Sequence, residues 1–306
     1  MSQRISFRAE LARLGLRWFV KRPSHRQPIE QARQTFRAME MLIPYPPLGT
    51  VTSAVDAAGV PADLIATKMS RPDRCVLFLH GGAYRVGAPS TYRHFTWRIA
   101  TAARARVLAI DYRLAPECPY PAAIEDALAS YRWLLGSNDP RGLAVMGDSA
   151  GGGLALALLM KLRDSGLPLP AAAVALSPWT DLALTGPSLK ANAASDPMLN
   201  ADDLPIFAAD YLAGSDPRNP YASPLYGDPR GLPPTLIQVG SDEILRDDAA
   251  RMAENMRGAG CHVELQIWRR MPHTWQLLAA VLPEARWAVA TIGAFLDRMF
   301  TAAAVR

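Results

Sequence analysis

The chain has 306 residues, 50% of them hydrophobic and 20% charged, a balance that excludes a disordered or collagen-like polymer. No stretch reaches the roughly 18 uncharged apolar residues of a membrane span. The formal net charge is +5, but residues 1–37 hold nine Lys/Arg against Glu10 and Glu30, a local +7, which leaves the rest of the chain at −2.

Residues 1–45 come first and read as a basic, helical arm. Arg8, Arg13 and Arg17 interrupt every apolar run that a signal peptide would need. A nucleic-acid protein would spread basic residues over a whole face, so no nucleic-acid partner is expected. The arm reads as a helix packed on its own protein, with a basic amphipathic helix lying on a membrane as the alternative. No stable membrane anchor is expected.

After Thr50, short β-rich runs alternate with helical stretches. Cys75–His80, Val107–Ile110, Leu143–Met146, Ala172–Leu176 and Thr235–Val239 are nearly continuously apolar, as strands buried on both faces of a parallel sheet are. Val263–Trp268 alternates, which suits an edge strand, and an open edge could pair with a second copy as a homodimer. Helices are predicted over Ala122–Leu135, over Ala150–Arg163 with Gly166 and Pro168 ending it, and over Pro283–Phe300. The pattern predicts an α/β chain with a mainly parallel sheet flanked by helices. Residues 184–225 carry six prolines and break the alternation. Together with residues 1–45 they are expected to form a helical cap on a catalytic domain spanning 46–306. Cys75, Cys118 and Cys261 are too few and too scattered for a disulfide framework or a zinc site. They read as small buried hydrophobes in a reducing, cytoplasmic compartment.

Four segments carry chemistry. Gly147-Asp148-Ser149-Ala150-Gly151 matches the Gly-x-Ser-x-Gly nucleophile elbow. Alone it is weak, because a chain of this length gives about one chance match in ten. Its setting strengthens it: a buried strand precedes it and an apolar helix follows. A sharp strand-turn-helix needs small flanking residues and lifts the Ser149 hydroxyl above the sheet. His80-Gly81-Gly82-Ala83 closes another buried strand. The N–H groups of Gly81, Gly82 or Ala83, with that of Ala150, are candidate donors to the oxyanion that develops in acyl transfer. His80 itself reads as an anchor of that loop. Of the five histidines, His25 lies in the arm, His94 on a helix and His262 just before a strand. Only His273 stands in a loop after a late strand, where an imidazole can take the proton that a serine hydroxyl must lose. An acid to orient it is expected in the loop after Thr235–Val239, where Asp242 and Glu243 compete. The order Ser, acid, His is that of the α/β hydrolases.

With these residues in place, the sequence resembles the bacterial hormone-sensitive-lipase-like esterases of the α/β-hydrolase fold. The family's His-Gly-Gly-Gly loop appears as His80–Ala83. Its Gly-Asp-Ser-Ala-Gly-Gly elbow stands unchanged at Gly147–Gly152, and its Asp-Tyr-Arg-Leu-Ala-Pro-Glu segment at Asp111–Glu117. Ser177–Asp181 and Met271–His273 are similar too. Ala83 departs from the third glycine, and Cys118 stands where the family often has histidine. The family's acid loop reads Asp-x-Leu-x-Asp. Aligned on Leu245 and Asp247 it selects Glu243; aligned on Gly240 it selects Asp242. The Leu register favours Glu243. The resemblance implies hydrolysis of short- to medium-chain esters through an acyl-enzyme, without metal or cofactor.

Two other readings compete with a carboxylesterase acting on a small-molecule ester. One is a non-catalytic ligand-binding protein on the same scaffold, which the presence of His273 disfavours. The other is an amidase or lactonase with the same residues. A lipase with a broad apolar lid is disfavoured by Asp196, Asp202, Asp203, Asp210 and Asp216 in the 184–225 segment.

Overall fold

The computed structural model describes residues 5–21, 28–40 and 46–305. Arg4, Arg22, His25 and Arg26 of the basic arm lie outside them.

The eight strands of the sheet are β1 (Val51–Asp56), β2 (Pro61–Ala66), β3 (Arg71–Leu79), β4 (Ala105–Ile110), β5 (Leu143–Asp148), β6 (Ala172–Leu176), β7 (Thr235–Gly240) and β8 (Val263–Trp268). Their order is β1-β2-β4-β3-β5-β6-β7-β8. From β4 to β8 every pairing is parallel, while β1–β2 and β2–β4 are antiparallel. The parallel register aligns Cys75 with Leu143, Ala144 with Ala172 and Thr235 with Val263. The C-terminal ends of β5, β7 and β8 therefore open on the same rim, where ligands bind in open α/β sheets.

The helices are α1 (Phe7–Phe19), α2 (Ile29–Glu40), α3 (Pro89–Ala102), α4 (Ala122–Leu135), α5 (Ala150–Asp164), α6 (Ser188–Ala191), α7 (Leu204–Leu212), α8 (Arg246–Gly258) and α9 (Pro283–Ala304). Successive side chains of a strand point to opposite faces, and the sheet uses both. Cys75, Leu77 and Leu79 of β3 join a core with α4, α5 and α8. Val76 and Phe78 join a second core with α3 and α9. Sandwiched between the sheet and its neighbours, α5 is buried from Ala150 to Met160. It ends near Gly166, whose φ is +66°.

Two strands lie outside the predicted runs, and two expectations need correction. The first two strands carry no apolar run: β1 is exposed along nearly its whole length, and β2 begins with Pro61 and holds Asp63. β1 is the edge strand, which relieves it of the need for a hydrophobic pattern, whereas β2 pairs on both sides and packs Ala62 and Ile65 inward despite its short and mixed sequence. Of the three cysteines, only Cys75 is buried; Cys118 and Cys261 are half-buried. The acids of the 184–225 segment do not all face solvent either. Asp196 and Asp203 are buried and Asp210 pairs with Arg85 at 2.8 Å, which leaves Asp202 and Asp216 as the exposed acids of that segment.

The arm and this segment meet beside the loop that follows β7. Lys21 Nζ donates to the carbonyls of Ala193 and Asp196, at 2.6 Å each. Arg13 bonds Asp242 at 2.8 Å and the Arg270 carbonyl at 2.6 Å.

Candidate active site

Ser149 sits at the sharp turn between β5 and α5, with φ +54° and ψ −122°. That region is costly for any residue with a side chain. Close packing holds it there. The Ser149 N–H donates to the Leu176 carbonyl at 2.8 Å. A Cβ on Gly151 would lie 2.1 Å from the Leu79 carbonyl oxygen, so only glycine lets α5 start this close to β3.

His273, in the loop after β8, places Nε2 2.9 Å from Ser149 Oγ. Its Nδ1 lies 2.8 Å from Glu243 Oε2. A carboxylate only accepts, so Nδ1 carries the proton and Nε2 is left to accept from the serine hydroxyl. Glu243 is fully buried. Its other oxygen accepts from Ser177 Oγ at 2.8 Å and from the Gly240 N–H. Asp242, its neighbour, points the other way, to Arg13. Of the two competing acids, Glu243 is the one that reaches the imidazole.

The loop after β3 lies beside this line. Its N–H groups do not all remain available. Gly81 N–H donates to Asp148 Oδ1 at 2.8 Å, so Gly81 drops out of the candidate oxyanion donors. Among the described residues, no acceptor faces the N–H groups of Gly82, Ala83 or Ala150. Gly82 has φ +117°, and a Cβ there would meet the Val86 carbonyl oxygen at 2.1 Å. Ala83 also adopts a positive φ, +54°. The left-handed region costs alanine about 1–2 kcal/mol, a strain the packing absorbs. Tyr84 stacks on Tyr211 of α7 with ring centroids 3.7 Å apart, and Arg85 pairs with Asp210. The 184–225 segment thus braces the loop after β3.

His80 anchors the same loop. Its Nδ1 lies 2.8 Å from the Gly81 carbonyl and its ring stacks on Tyr112 at 4.3 Å. Burial pushes its pKa down to about 4, so it stays neutral. His94 bonds the Thr91 carbonyl within α3, and His262 lies beside Glu264 at the surface. A cavity of about 410 Å³ is walled by Arg33 and Arg37 of α2 with Asp111, Tyr112 and Cys118; Ser149, Glu243 and His273 do not line it.

The described geometry has close counterparts among known proteins. Residues 76–277 match the model of an alpha/beta hydrolase fold family. An acetyl-hydrolase of Streptomyces hygroscopicus is 51% identical over 73% of this chain and 75% of its own. A crystal structure of an esterase from the bacterial hormone-sensitive lipase family superposes with a TM-score of 0.92 at 43% identity, covering 98% of this chain and 100% of that one. A double mutant of the esterase E40 gives 0.92 at 44%, with the same coverage.

The chain belongs to the bacterial hormone-sensitive-lipase family of α/β-hydrolase-fold esterases.

In this esterase burial and charge compete at His273. Burial works against a charged His273, but the hydrogen bond and charge of Glu243, helped by Asp196 and Asp148, outweigh it and raise the pKa above 6.5. Asp148 lies beneath the loop after β3, and burial pushes its pKa up to about 7. Its two oxygens accept from Gly81 N–H and, at 3.1 Å, from Tyr92 Oη.

Four supporting residues escaped the sequence reading: Asp148, Ser177, Asn192 and Asp196. Asn192 donates to the carbonyls of Ser241 and Glu243, and Asp196 Oδ2 accepts the Ile244 N–H at 2.9 Å. Both hold the acid loop from outside. Asp148 and Ser177 stood inside quoted motifs, yet only their partners reveal their task. Asn192 and Asp196 carried no local signal at all.

Proposed function

We propose that this ester hydrolase is a serine carboxylesterase of short- to medium-chain esters. Ser149 is its nucleophile, His273 the general base and acid, Glu243 the orienting acid, and the N–H groups of Gly82, Ala83 and Ala150 are the oxyanion donors. The observation that carries the reading is the continuous chain from Ser149 Oγ through His273 to Glu243, at 2.9 and 2.8 Å.

Ser149 Oγ attacks the ester carbonyl while His273 Nε2 takes its proton. The carbonyl oxygen gains negative charge and is met by N–H donors, each worth about 10²–10³ in rate. His273 returns the proton to the alkoxide as the C–O bond breaks, which frees the alcohol. Water, deprotonated by the same nitrogen, then cleaves the acyl-enzyme to a carboxylic acid and restores Ser149. The name of the acetyl-hydrolase relative supports a small acyl group. The cytoplasm is the proposed location. Its support is that Cys75, Cys118 and Cys261 are free, and that no helix among the described residues is long and apolar enough to cross a membrane.

The test is p-nitrophenyl butyrate hydrolysis by purified Ser149→Ala, with phosphonate labelling of the unsubstituted protein. A loss in kcat of about 10⁶ is expected, together with one covalent adduct on Ser149. Full activity in the variant would refute the assignment. A protein that binds the ester but neither turns it over nor labels would be the non-catalytic binder.

A further inference from the structure

α1 is fastened to the body by its small and polar side. Ala9 is buried in the core that also holds α3 and α9. The Ser6 N–H and hydroxyl both donate to Glu284, at 2.7 and 3.0 Å. Arg13 and Lys21 make the contacts described above with the loops around Asp242, Arg270 and Asp196. These bonds fix the rotation of the helix about its own axis. The consequence is that its apolar side faces outward.

Phe7, Leu11, Leu14 and Trp18 follow one another at spacings of four, three and four residues. That spacing places them on one face of a helix. All four are exposed: Phe7 by 76%, Leu11 by 51%, Leu14 by 53% and Trp18 by 71%. Val281, exposed as well, stands near the start of the helix, where Arg8 contacts its carbonyl. Scattered exposed leucines need no explanation, but a contiguous apolar stripe marks a contact surface.

Charge selects the occupant. Glu10 is engaged by Arg270 at 2.7 Å, and Asp242 by Arg13, so the acids near the helix are already matched. Arg8 and Arg17 stand exposed on the two flanks of the stripe. The arm to which they belong carries +7 over residues 1–37. Aromatic and leucine side chains on one face with cations along its margins are the composition of a helix that lies in a lipid interface. Arginines near an anionic surface add attraction that salt weakens.

We propose that α1 is a docking surface for an anionic lipid interface, onto which the esterase binds peripherally and reversibly. The helix lies flat, with Phe7, Leu11, Leu14 and Trp18 entering the headgroup boundary and Arg8 and Arg17 meeting lipid phosphates. Arg13 ties this helix directly to the loops that carry Glu243 and His273, so docking sets the catalytic rim beside the interface. The proposal is independent of the catalytic assignments above.

The experiment is co-sedimentation of the full-length protein with vesicles of phosphatidylcholine alone and of phosphatidylcholine mixed with phosphatidylglycerol. Leu11→Glu/Leu14→Glu is run in parallel. Both positions are exposed, so the melting temperature and p-nitrophenyl butyrate hydrolysis should match those of the parent and certify folding. Expected are binding to the mixed vesicles that weakens with salt, and a partition coefficient lowered about tenfold or more in the variant. A blue shift of fluorescence on binding should be reduced in Trp18→Phe. Failure to sediment with the mixed vesicles would overturn the proposal, as would equal binding to both compositions or an unaffected variant. A dimer that the double substitution converts to monomer would give the stripe to a second copy instead.

Discussion

The loop after β7 has two faces, and adjacent residues serve them. Glu243 turns inward, fully buried, and each of its oxygens has a donor: His273 on one, Ser177 and Gly240 on the other. Asp242 turns outward to Arg13 of α1, with 18% of its side chain exposed. An inward carboxylate deprived of water must be fully hydrogen-bonded, and its loss leaves those donors orphaned. The Asp242–Arg13 pair fastens the loop to α1 and makes no contact with the imidazole. Two acids one residue apart are thus expected to differ in consequence by orders of magnitude.

The sharpest way to break the comparison is on the inner side. Glu243→Gln is expected to lower kcat for p-nitrophenyl butyrate by about 10⁴ while the protein stays folded, since the amide no longer holds the imidazole in its working tautomer. The pH profile sharpens it further. The base acts when neutral, so in the parent the activity falls as pH drops through a His273 pKa held above 6.5. Glu243→Gln removes the main influence raising it and leaves burial, which lowers it. The acid limb of the residual activity should therefore move to lower pH. A limb that moved upward would contradict the assigned balance.

Next comes the backbone beside the inner face. Gly82→Ala must place a Cβ against the Val86 carbonyl oxygen at 2.1 Å, displacing the oxyanion loop. The expected loss in kcat is about 10²–10³, with KM changed little. Steady-state kinetics at several ester concentrations separate the two constants. The smallest effect belongs to the outer face. Asp242→Asn should lower thermal stability modestly, because it breaks the bond to Arg13, and change kcat by less than about fivefold, read from melting curves and the same assay. An Asp242→Asn defect as severe as that of Glu243→Gln would erase the distinction between the faces.

Much of this arrangement was legible in the residues themselves. The buried strands announced themselves as unbroken apolar runs, because both sheet faces are covered; β6 and β8 begin and end where the pattern puts them. The elbow was legible because its geometry admits few residue types beside Ser149. β1 was not, since a strand at an open margin carries no hydrophobic signature, and neither was β2, whose Pro61 and Asp63 interrupt the apolar pattern although it pairs on both sides. Which of the Gly81, Gly82 and Ala83 N–H groups stay available was not legible, because a motif shows which N–H groups exist, not which are already taken by a partner, as that of Gly81 is by Asp148.

What the sequence alone determined is the inventory: strands from apolar runs, a serine in a turn that demands glycine neighbours, one histidine in a late loop, and two acids after β7. Those features follow from local sterics and periodicity, which act over a few residues. Tertiary structure decided everything that depends on distance in the chain. It brought Ser149 and His273 into contact across 124 positions and chose Glu243 over Asp242. It also turned the apolar face of α1 outward, because Ser6, Arg13 and Lys21 found polar partners on the opposite side. Orientation of this kind is set by which groups meet across the fold, and no local pattern encodes that meeting.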